Sequence, residues 1–578
     1  MTIEIRRRDA VSDTVLPAEL APALRRVYAS RGVTAAQLQL GLGKIIPVSQ
    51  LGGLDAAVAR LQQAHVAQER VLVLGDFDAD GATATALMMS CLRAFGFLNI
   101  SYKVPDRFRF GYGLSVGIVD EISAEQPDLI VTVDNGISSV DGVARANALG
   151  IDVVVTDHHL PGQVLPAAAA IVNPNAPGNE FPSKWLAGVG VAFYVMAALG
   201  RALAGSGAIA ADVARSAAAD CLDLVALGTV ADLVQLDHNN RVLVSQGLAR
   251  IRAGRTRPGI LALFDVANRD AGRAVASDIG FTIAPRLNAA GRLDDMSLGI
   301  DCLLATDKSA ARDMALQLNE LNSERRGLQQ QTEEEAGALL DELDSRLGIG
   351  AHWGYCLFDE TWHQGIVGLV ATKIRDRVKR PAMAFAPAET GGSELKGSGR
   401  SVKGVHLRDV LAEVAAQHPH LIERFGGHAM AAGMSLQAVN LPAFMQAFDD
   451  AVAAHKADIS DAEVLWSDGE LSAAELSLSL AEQLRGGGPW GQAFPEPLFD
   501  NRFRVVAKRV VGQKHLKLTL QPQGSQTEIE AIAFNRDELP RRTSGGHDGM
   551  YRMAYRLDVN EFRGRRTVQL VVEHIQSD

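Results

Sequence analysis

Asp76, Asp78 and Asp80 stand on alternate positions of the stretch VLVLGDFDADGATATAL, residues 71–87, with Gly81 directly after them. Carboxylates this close repel one another unless a cation or solvent offsets their charge. The spacing matches the opening of a calcium-binding EF-hand loop, in which alternate residues supply oxygens ahead of a turn glycine. That reading fails at the position that must give a bidentate carboxylate, which here is Leu87. It fails upstream too, because Val71, Leu72, Val73 and Leu74 suit a buried strand better than an entering helix. A strand ending in a solvated acidic turn would account for a single Asp-Gly pair. The triple set points instead to one edge of a catalytic metal site.

Two further strand-like runs end in the same way. VTVDNGISS carries Asp134, and VTDHHLPG carries Asp157, His158 and His159. Adjacent histidines are usually unrelated surface residues, but beside acidic strand ends they become candidate ligands. Mixed carboxylate and imidazole donors suit Mn²⁺ or Mg²⁺, and no thiolate is placed to favour zinc. One carboxylate bridging two such ions generates hydroxide and clamps both oxygens of an in-line displacement at phosphorus, so the predicted reaction is metal-assisted phosphoester hydrolysis. Downstream, RFGGHAMAAG offers Gly426 and Gly427 for close backbone approach to a phosphate and His428 as a donor or acid. A glycine turn with a packed histidine is the plain alternative.

The elements that must position these groups follow from apolar patterning. Between Arg70 and about residue 175, the runs RVLVLGD, PDLIVTVD, IDVVVTD and AAIVNPN alternate with Ala-rich segments, which predicts an α/β domain with a mainly parallel sheet. In such sheets the ligand crevice lies outside the carboxyl ends of the strands, so the acidic strand ends should converge. From Thr306 to about residue 344 few turn residues occur, and Met314, Leu318, Leu321, Leu328, Leu339 and Leu343 share one helical face. This predicts a connecting helix on the order of 50 Å long, with Gly327 and Gly337 as places for a bend. A second α/β unit follows. The last five strand-like runs, from RFRVVAKRVV to RTVQLVVEHI, predict a small antiparallel barrel of OB type. The expected divisions are an N-terminal segment at 1–49, a catalytic domain at 50–305, the helix at 306–345, the second α/β domain at 346–457 and the barrel at 458–578.

Composition narrows the class. A chain of 578 residues is long for one core, which predicts several domains. The cysteines Cys91, Cys221, Cys302 and Cys356 are scattered without a CxxC pair, which speaks against a disulfide framework and fits a reducing cytoplasm. The start MTIEIRRRDAVSD lacks the apolar core of a signal peptide, and no uninterrupted apolar run reads as a membrane span. Net charge is −11, yet residues 501–578 hold 14 Lys or Arg against 9 Asp or Glu, a local net of +5. A basic module on an acidic body suits local contact with nucleic acid.

DFDADG, VTVDNG, VTDHHLPG and ALGTVADLVQL, in that order, resemble the motifs of the DHH phosphoesterase superfamily. VPDRFRFGYGL, APRLNAAGRL, GSGRSVKGVHL, RFGGHAMAAG and GPWGQAFPEPLF further resemble its RecJ family of bacterial single-strand-specific 5′ exonucleases. The resemblance implies an α/β fold made of a DHH domain with a parallel sheet, a long connecting helix, a DHH-associated α/β domain and an OB-like barrel. It also implies a 5′ to 3′ exonuclease on single-stranded DNA, active in recombination and repair as a cytoplasmic monomer, with a helicase and a single-stranded-DNA-binding protein as partners. Carried onto this sequence, the ligands of two ions, Mn²⁺ or Mg²⁺, fall on Asp78, Asp80, Asp134, His158 and Asp232, with Asp134 as the bridge. Nothing in the residues alone selects Asp232. Asp76 and His159 become neighbours that orient ligands or touch phosphate, and Asp157 becomes the partner of a ligating histidine. Ser398, Arg400 and Arg107 are implied as a 5′-phosphate pocket, with Arg286 holding a further phosphate. Rival readings are a superfamily pyrophosphatase or short-oligonucleotide phosphodiesterase, which the basic barrel disfavours, and a non-catalytic replication scaffold, which the filled ligand positions disfavour.

Overall fold

The computed structural model describes residues 2–577 except Ala10, Thr14, residues 107–108, residues 348–351, Thr390, residues 460–461, Gln513, residues 541–549 and Arg563. The chain forms two compact units, one of residues 7–323 with 466–578 and one of residues 1–6 with 324–465.

The larger unit is organised by a sheet of five parallel strands in the order Ile100–Lys103, Val71–Leu74, Leu129–Val133, Asp152–Thr156, Ala170–Val172. Val71–Leu74 and Leu129–Val133 are buried along their whole length, as continuous apolar runs in a parallel sheet should be. Alternation divides them between two cores. Val71, Val73, Val131 and Val133 face the helices Ala79–Ala94, Gly188–Gly205 and Leu222–Ala231, while Leu72, Leu74 and Ile130 face Val116–Ile122 and Val140–Ala148. The chain leaves Val71–Leu74 to one side, forms the edge strand, and returns on the other side as Leu129–Val133. The strand order therefore reverses between the strands that end at the Asp76–Asp80 loop and at Asp134. Ile100–Lys103 was not among the predicted strands, because it is a half-exposed edge strand without an apolar run.

The C-terminal barrel closes in the order Phe499–Val511, His515–Pro522, Ile529–Ala533, Arg565–Ser577, Met550–Phe562. All the predicted strands are present. One pairing departs from the expected antiparallel pattern, since Ile529–Ala533 lies parallel to Arg565–Ser577 and so seals the barrel. The barrel shares a continuous core with the parallel-sheet region. Buried Arg31 makes a two-pronged ion pair with buried Asp468 at 2.8 and 3.0 Å, and buried Asp500 receives Arg7 and Arg552 at 2.9 and 2.8 Å. These guanidiniums and the Ser467 hydroxyl outweigh the cost of burying Asp500 and hold its carboxyl below the usual range.

The core of this unit also corrects the reading of apolar runs. Helix Gly188–Gly205 is long and apolar enough to cross a membrane by length and composition, with a mean hydropathy of 1.5, but 67% of it is buried inside the protein. It is a central core helix.

The connecting helix runs from Lys308 to Leu347 without interruption at Gly327 or Gly337. Its expected apolar stripe is packed at Leu318 and Leu321, whereas Leu328 is 49% exposed. In the smaller unit a sheet of five strands runs Arg424–Gly427, Ala431–Gln437, Glu394–Arg400, Ala382–Pro387, Tyr355–Phe358, with only the last pair parallel.

Candidate metal centre

The acidic loop after Val71–Leu74 turns directly into helix Ala79–Ala94, with Asp78 as its N-cap. One Asp78 oxygen accepts the backbone N–H of Asp80 and of Gly81, each at 2.9 Å, which satisfies two donors that a helix start leaves open. Asp80, fully buried, aims across the crevice at a second helix start. Its oxygens accept the N–H of Gly188 at 2.6 Å and of Val189 at 3.0 Å, so the carboxylate rests on the positive pole of helix Gly188–Gly205.

Asp134 follows Leu129–Val133 and adopts a left-handed backbone, φ 63°. This conformation is costly for a non-glycine residue and tends to mark functional positions. Its Oδ1 is buried without a hydrogen-bond partner and lies 3.1 Å from His158 Nε2, itself buried and unpartnered by hydrogen bonds. His158 Nε2 is also 3.5 Å from Asp232, the residue that terminates helix Leu222–Ala231. Two helices can approach this closely only because of glycine. A Cβ at Gly188 would sit 2.5 Å from the Asp134 carboxylate, and one at Gly228 would sit 2.6 Å from Asp80 Oδ1.

Asp157, at the end of Asp152–Thr156, is a positioning group. Its oxygens accept the N–H of His158 at 2.7 Å, of His159 at 3.1 Å and of Ile137 at 2.9 Å, and its Oδ1 lies 2.8 Å from His159 Nδ1. Burial opposes its charge, but these bonds prevail and lower its pKa. For His159 burial works against protonation, yet Asp157 raises its pKa to about 9. His158 moves the other way, down to about 4, through burial and the neighbouring charge of His159, and so stays neutral as a ligand must.

The remaining carboxylates are driven up. Burial and then Asp78 raise Asp76 and Asp232 to about 7, and burial with the neighbouring carboxylates raises Asp80 and Asp134 well above the usual range. Three sets of donor atoms gather within 4.8 Å of one another: Asp76, Asp78 and Asp134; Asp80, His158 and Asp232; and Asp134, His158 and His159. Orphaned buried oxygens beside a neutral imidazole fit a divalent cation of the Mn²⁺ or Mg²⁺ kind.

Of the predicted site residues, the structure brings together Asp76, Asp78, Asp80, Asp134, Asp157, His158, His159 and Asp232. Asp76 stands closer to ligand status than its expected role as a neighbour, since its Oδ1 is also buried and unpartnered. Arg286 is engaged locally, donating to Asn319 Oδ1 at 3.0 Å and to the Thr282 carbonyl. Arg107 lies outside the described residues. In the smaller unit Ser398 and Arg400 touch, Nη1 to Oγ at 3.1 Å, and Arg400 Nη2 lies 3.0 Å from where a Cβ at Gly368, in helix Val367–Val378, would sit. Gly426 and Gly427 form an exposed edge strand rather than a glycine turn, and His428 is exposed at its end. Missed by sequence reasoning were Tyr112, whose hydroxyl donates to the Asp134 carbonyl at 2.9 Å and meets His159 Nδ1 at 3.2 Å, and Asn288, whose Oδ1 accepts the Ala79 N–H at 2.7 Å. Both lie in quoted motifs, but nothing in their spacing marks them.

Comparison with known proteins agrees with this geometry. The DHH family, N-terminal domain, matches residues 70–229, the DHHA1 domain residues 350–454, and the RecJ OB domain residues 467–574. The single-stranded-DNA-specific exonuclease RecJ of Dickeya dadantii is 52% identical over 572 residues, 98% of each chain. The chain belongs to the RecJ family. RecJ of Escherichia coli is 50% identical over 576 residues, 99% of each chain. The crystal structure of Thermus thermophilus RecJ with Mn²⁺ superposes with a TM-score of 0.75 at 27% identity, covering 99% of this chain and 79% of that one, and the Mg²⁺ complex gives 0.71.

The electrostatics of this RecJ-family centre make a stability prediction. A carboxylate whose folded pKa is raised binds its proton more tightly folded than unfolded, so stability falls as pH climbs from about 4 through about 7. In EDTA, Asp232→Asn should raise the melting temperature at pH 7.5 by about 2–4 °C, the shift that about 1 kcal/mol produces in a large domain, and should change it little at pH 4.5. Calorimetry of both proteins at both pH values checks this; equal shifts at the two pH values would contradict it.

Proposed function

We infer that this chain is a metal-dependent exonuclease specific for single-stranded DNA, which it degrades from the 5′ end with Mn²⁺ or Mg²⁺ as cofactor. The observation that carries the reading is the buried, unpartnered pair Asp134 Oδ1 and His158 Nε2, 3.1 Å apart at the strand-order reversal of a RecJ-family sheet. Asp78, Asp80, Asp134, His158 and Asp232 hold two ions, with Asp134 as the bridge. Its membership of two donor sets supports that role. When bound, the ions supply a hydroxide nucleophile and neutralise charge developing at phosphorus. The protein's own groups do the rest. Asp157 fixes the His159 ring, which faces phosphate, with Asp76 beside it. His428, Gly426 and Gly427 contact the substrate backbone, His428 as donor or acid. Ser398, Arg400 and Arg107 receive a 5′-phosphate, and Arg286 steadies a further phosphate.

On this reading the chain divides into an N-terminal segment at 1–49, a catalytic domain at 50–305, a connecting helix at 306–345, an associated domain at 346–457 and an OB domain at 458–578. The enzyme acts in recombination and repair, in the cytoplasm and as a monomer, on strands exposed by a helicase and covered by a single-stranded-DNA-binding protein. The basic barrel supports grip on a long strand. Lys508 and Arg509 are exposed on Phe499–Val511 and form no ion pair among the described residues.

Asp134→Ala should abolish hydrolysis without unfolding the protein, because losing a bridging carboxylate leaves no activated water. Turnover near wild type in a folded variant at saturating Mn²⁺ would rule out the bridge. With strands labelled at the 3′ end, Arg400→Ala should erode the preference for a 5′-phosphate more than it slows unphosphorylated ends; equal slowing would make Arg400 a general backbone contact. Replacing Lys508 and Arg509 together by alanine should flatten the dependence of log affinity on log salt by roughly 0.7 per charge removed on long single strands. An unchanged slope would place the strand elsewhere on the barrel.

A further inference from the structure

Within the larger unit, a cavity of 340 Å³ lies between the segment Thr229–Leu236 and the loop around Pro489. It is a different place from the metal centre, yet Val230 and Leu233, which line it, flank Asp232. Its walls are mostly apolar, with Leu233, Leu248, Pro489 and Trp490 among them. Trp490 is a rigid wall, stacked on Tyr28 at 6.0 Å and on Phe494 at 5.0 Å. Phe281, also part of the lining, is 86% exposed and sits in a π-helical turn, Ile279–Ile283, a geometry frequent at functional sites.

Two observations say that the cavity is built for more than an apolar guest. Thr229 lines it, and the Thr229 hydroxyl is buried with no hydrogen-bond partner. Arg252 and Arg485 also line it, and burial, followed by the charge of Arg485, lowers the pKa of Arg252. Arg485 makes no hydrogen bond or ion pair among the described residues, and Arg252 donates only through Nε, to the Ala274 carbonyl at 2.7 Å. Both arginines open onto an adjoining polar cavity of 260 Å³, where the charges of Arg273 and Arg566 are already met by Glu561 and Glu482. The carboxylate on the lining, Glu496, is paired with Arg556 at 2.8 Å. Two guanidiniums beside an apolar chamber, Arg485 without an ion pair among the described residues, call for an anion carried on a flat apolar body.

We propose that this cavity binds a nucleoside 5′-monophosphate, the base against the apolar wall and the phosphate on Arg252 and Arg485. The choice of occupant rests on the functional reading above, under which such molecules are released at every turnover beside this face of the protein. Bound there, the product braces the segment that carries Asp232, so its accumulation slows hydrolysis from outside the metal centre.

The test uses the full-length protein with Asp134→Ala, in EDTA, so that binding at the metal centre does not interfere. Titration calorimetry with dAMP should show one saturable site per chain. Adding Arg485→Ala should weaken it at least tenfold, Ser245→Phe, which fills the cavity from helix His238–Arg252, should remove it, and Arg400→Ala should leave it unchanged. Deoxyadenosine should bind at least tenfold more weakly than dAMP. Absence of saturable binding, binding indifferent to both Arg485→Ala and Ser245→Phe, or occupancy by an apolar, acidic peptide in place of dAMP would each overturn the proposal. If the wild-type enzyme with Mn²⁺ releases no nucleoside monophosphates, the functional reading fails, while the titration still decides the cavity.

Discussion

Like-charge repulsion among buried carboxylates is the constraint around which the larger unit is built. Asp76, Asp80 and Asp134 are almost wholly buried and crowd the end of a parallel sheet where strand order reverses. A protein that simply maximised stability would not gather them there, because each raises the cost of ionising the others. Several devices make the arrangement tolerable. Asp80 rests on the start of one helix and Asp78 caps another, so backbone dipoles oppose their charge. Asp157 is neutralised within the protein by His159, and the oxygens left without partners are those that a divalent cation would take.

Close packing follows from this constraint. For Asp80 to reach the Gly188 and Val189 amides, helix Gly188–Gly205 must begin almost on top of Asp134, and helix Leu222–Ala231 must pass almost in contact with Asp80. Side chains at positions 188 and 228 would clash with those carboxylates, which ties the identity of two residues that bear no chemistry to the geometry of those that do. The same packing explains why Gly188–Gly205 is apolar enough to be mistaken for a membrane span: nearly every face of it meets another core element.

The C-terminal region is joined to the N-terminal segment through buried charge, and to the parallel-sheet region through apolar contact. Asp468 and Asp500 are sunk in the interior and each is met by arginine, Asp468 by Arg31 and Asp500 by Arg7 and Arg552. Removing Arg31 would leave the Asp468 carboxylate buried without its two-pronged partner, a loss of about 3–5 kcal/mol, while the continuous apolar core makes the barrel and the sheet unfold together rather than as separate pieces. The barrel is thereby held in fixed relation to the metal centre within this unit.

Local sequence carried much of this. Apolar runs ending in Asp76, Asp134 and Asp157 determined the buried strands, their parallel arrangement and the side of the sheet on which chemistry sits, because a strand buried on both faces must be continuously apolar and its polar end must lie at an edge. Period-two alternation likewise determined the barrel strands. What neighbours in sequence cannot encode is which distant groups share an atom's surroundings. Asp232 ends an ordinary helix, Tyr112 lies in an irregular loop and Asn288 is one polar residue on a helix, and each gains its role only by docking against the acidic loop or the His-His pair. Sequence places Asp76 as a neighbour that orients ligands or touches phosphate, and its orphaned oxygen shows only on folding, because it depends on burial from several elements at once. Tertiary structure decided these points because burial, unpartnered atoms and closing distances arise only when separate segments are brought together.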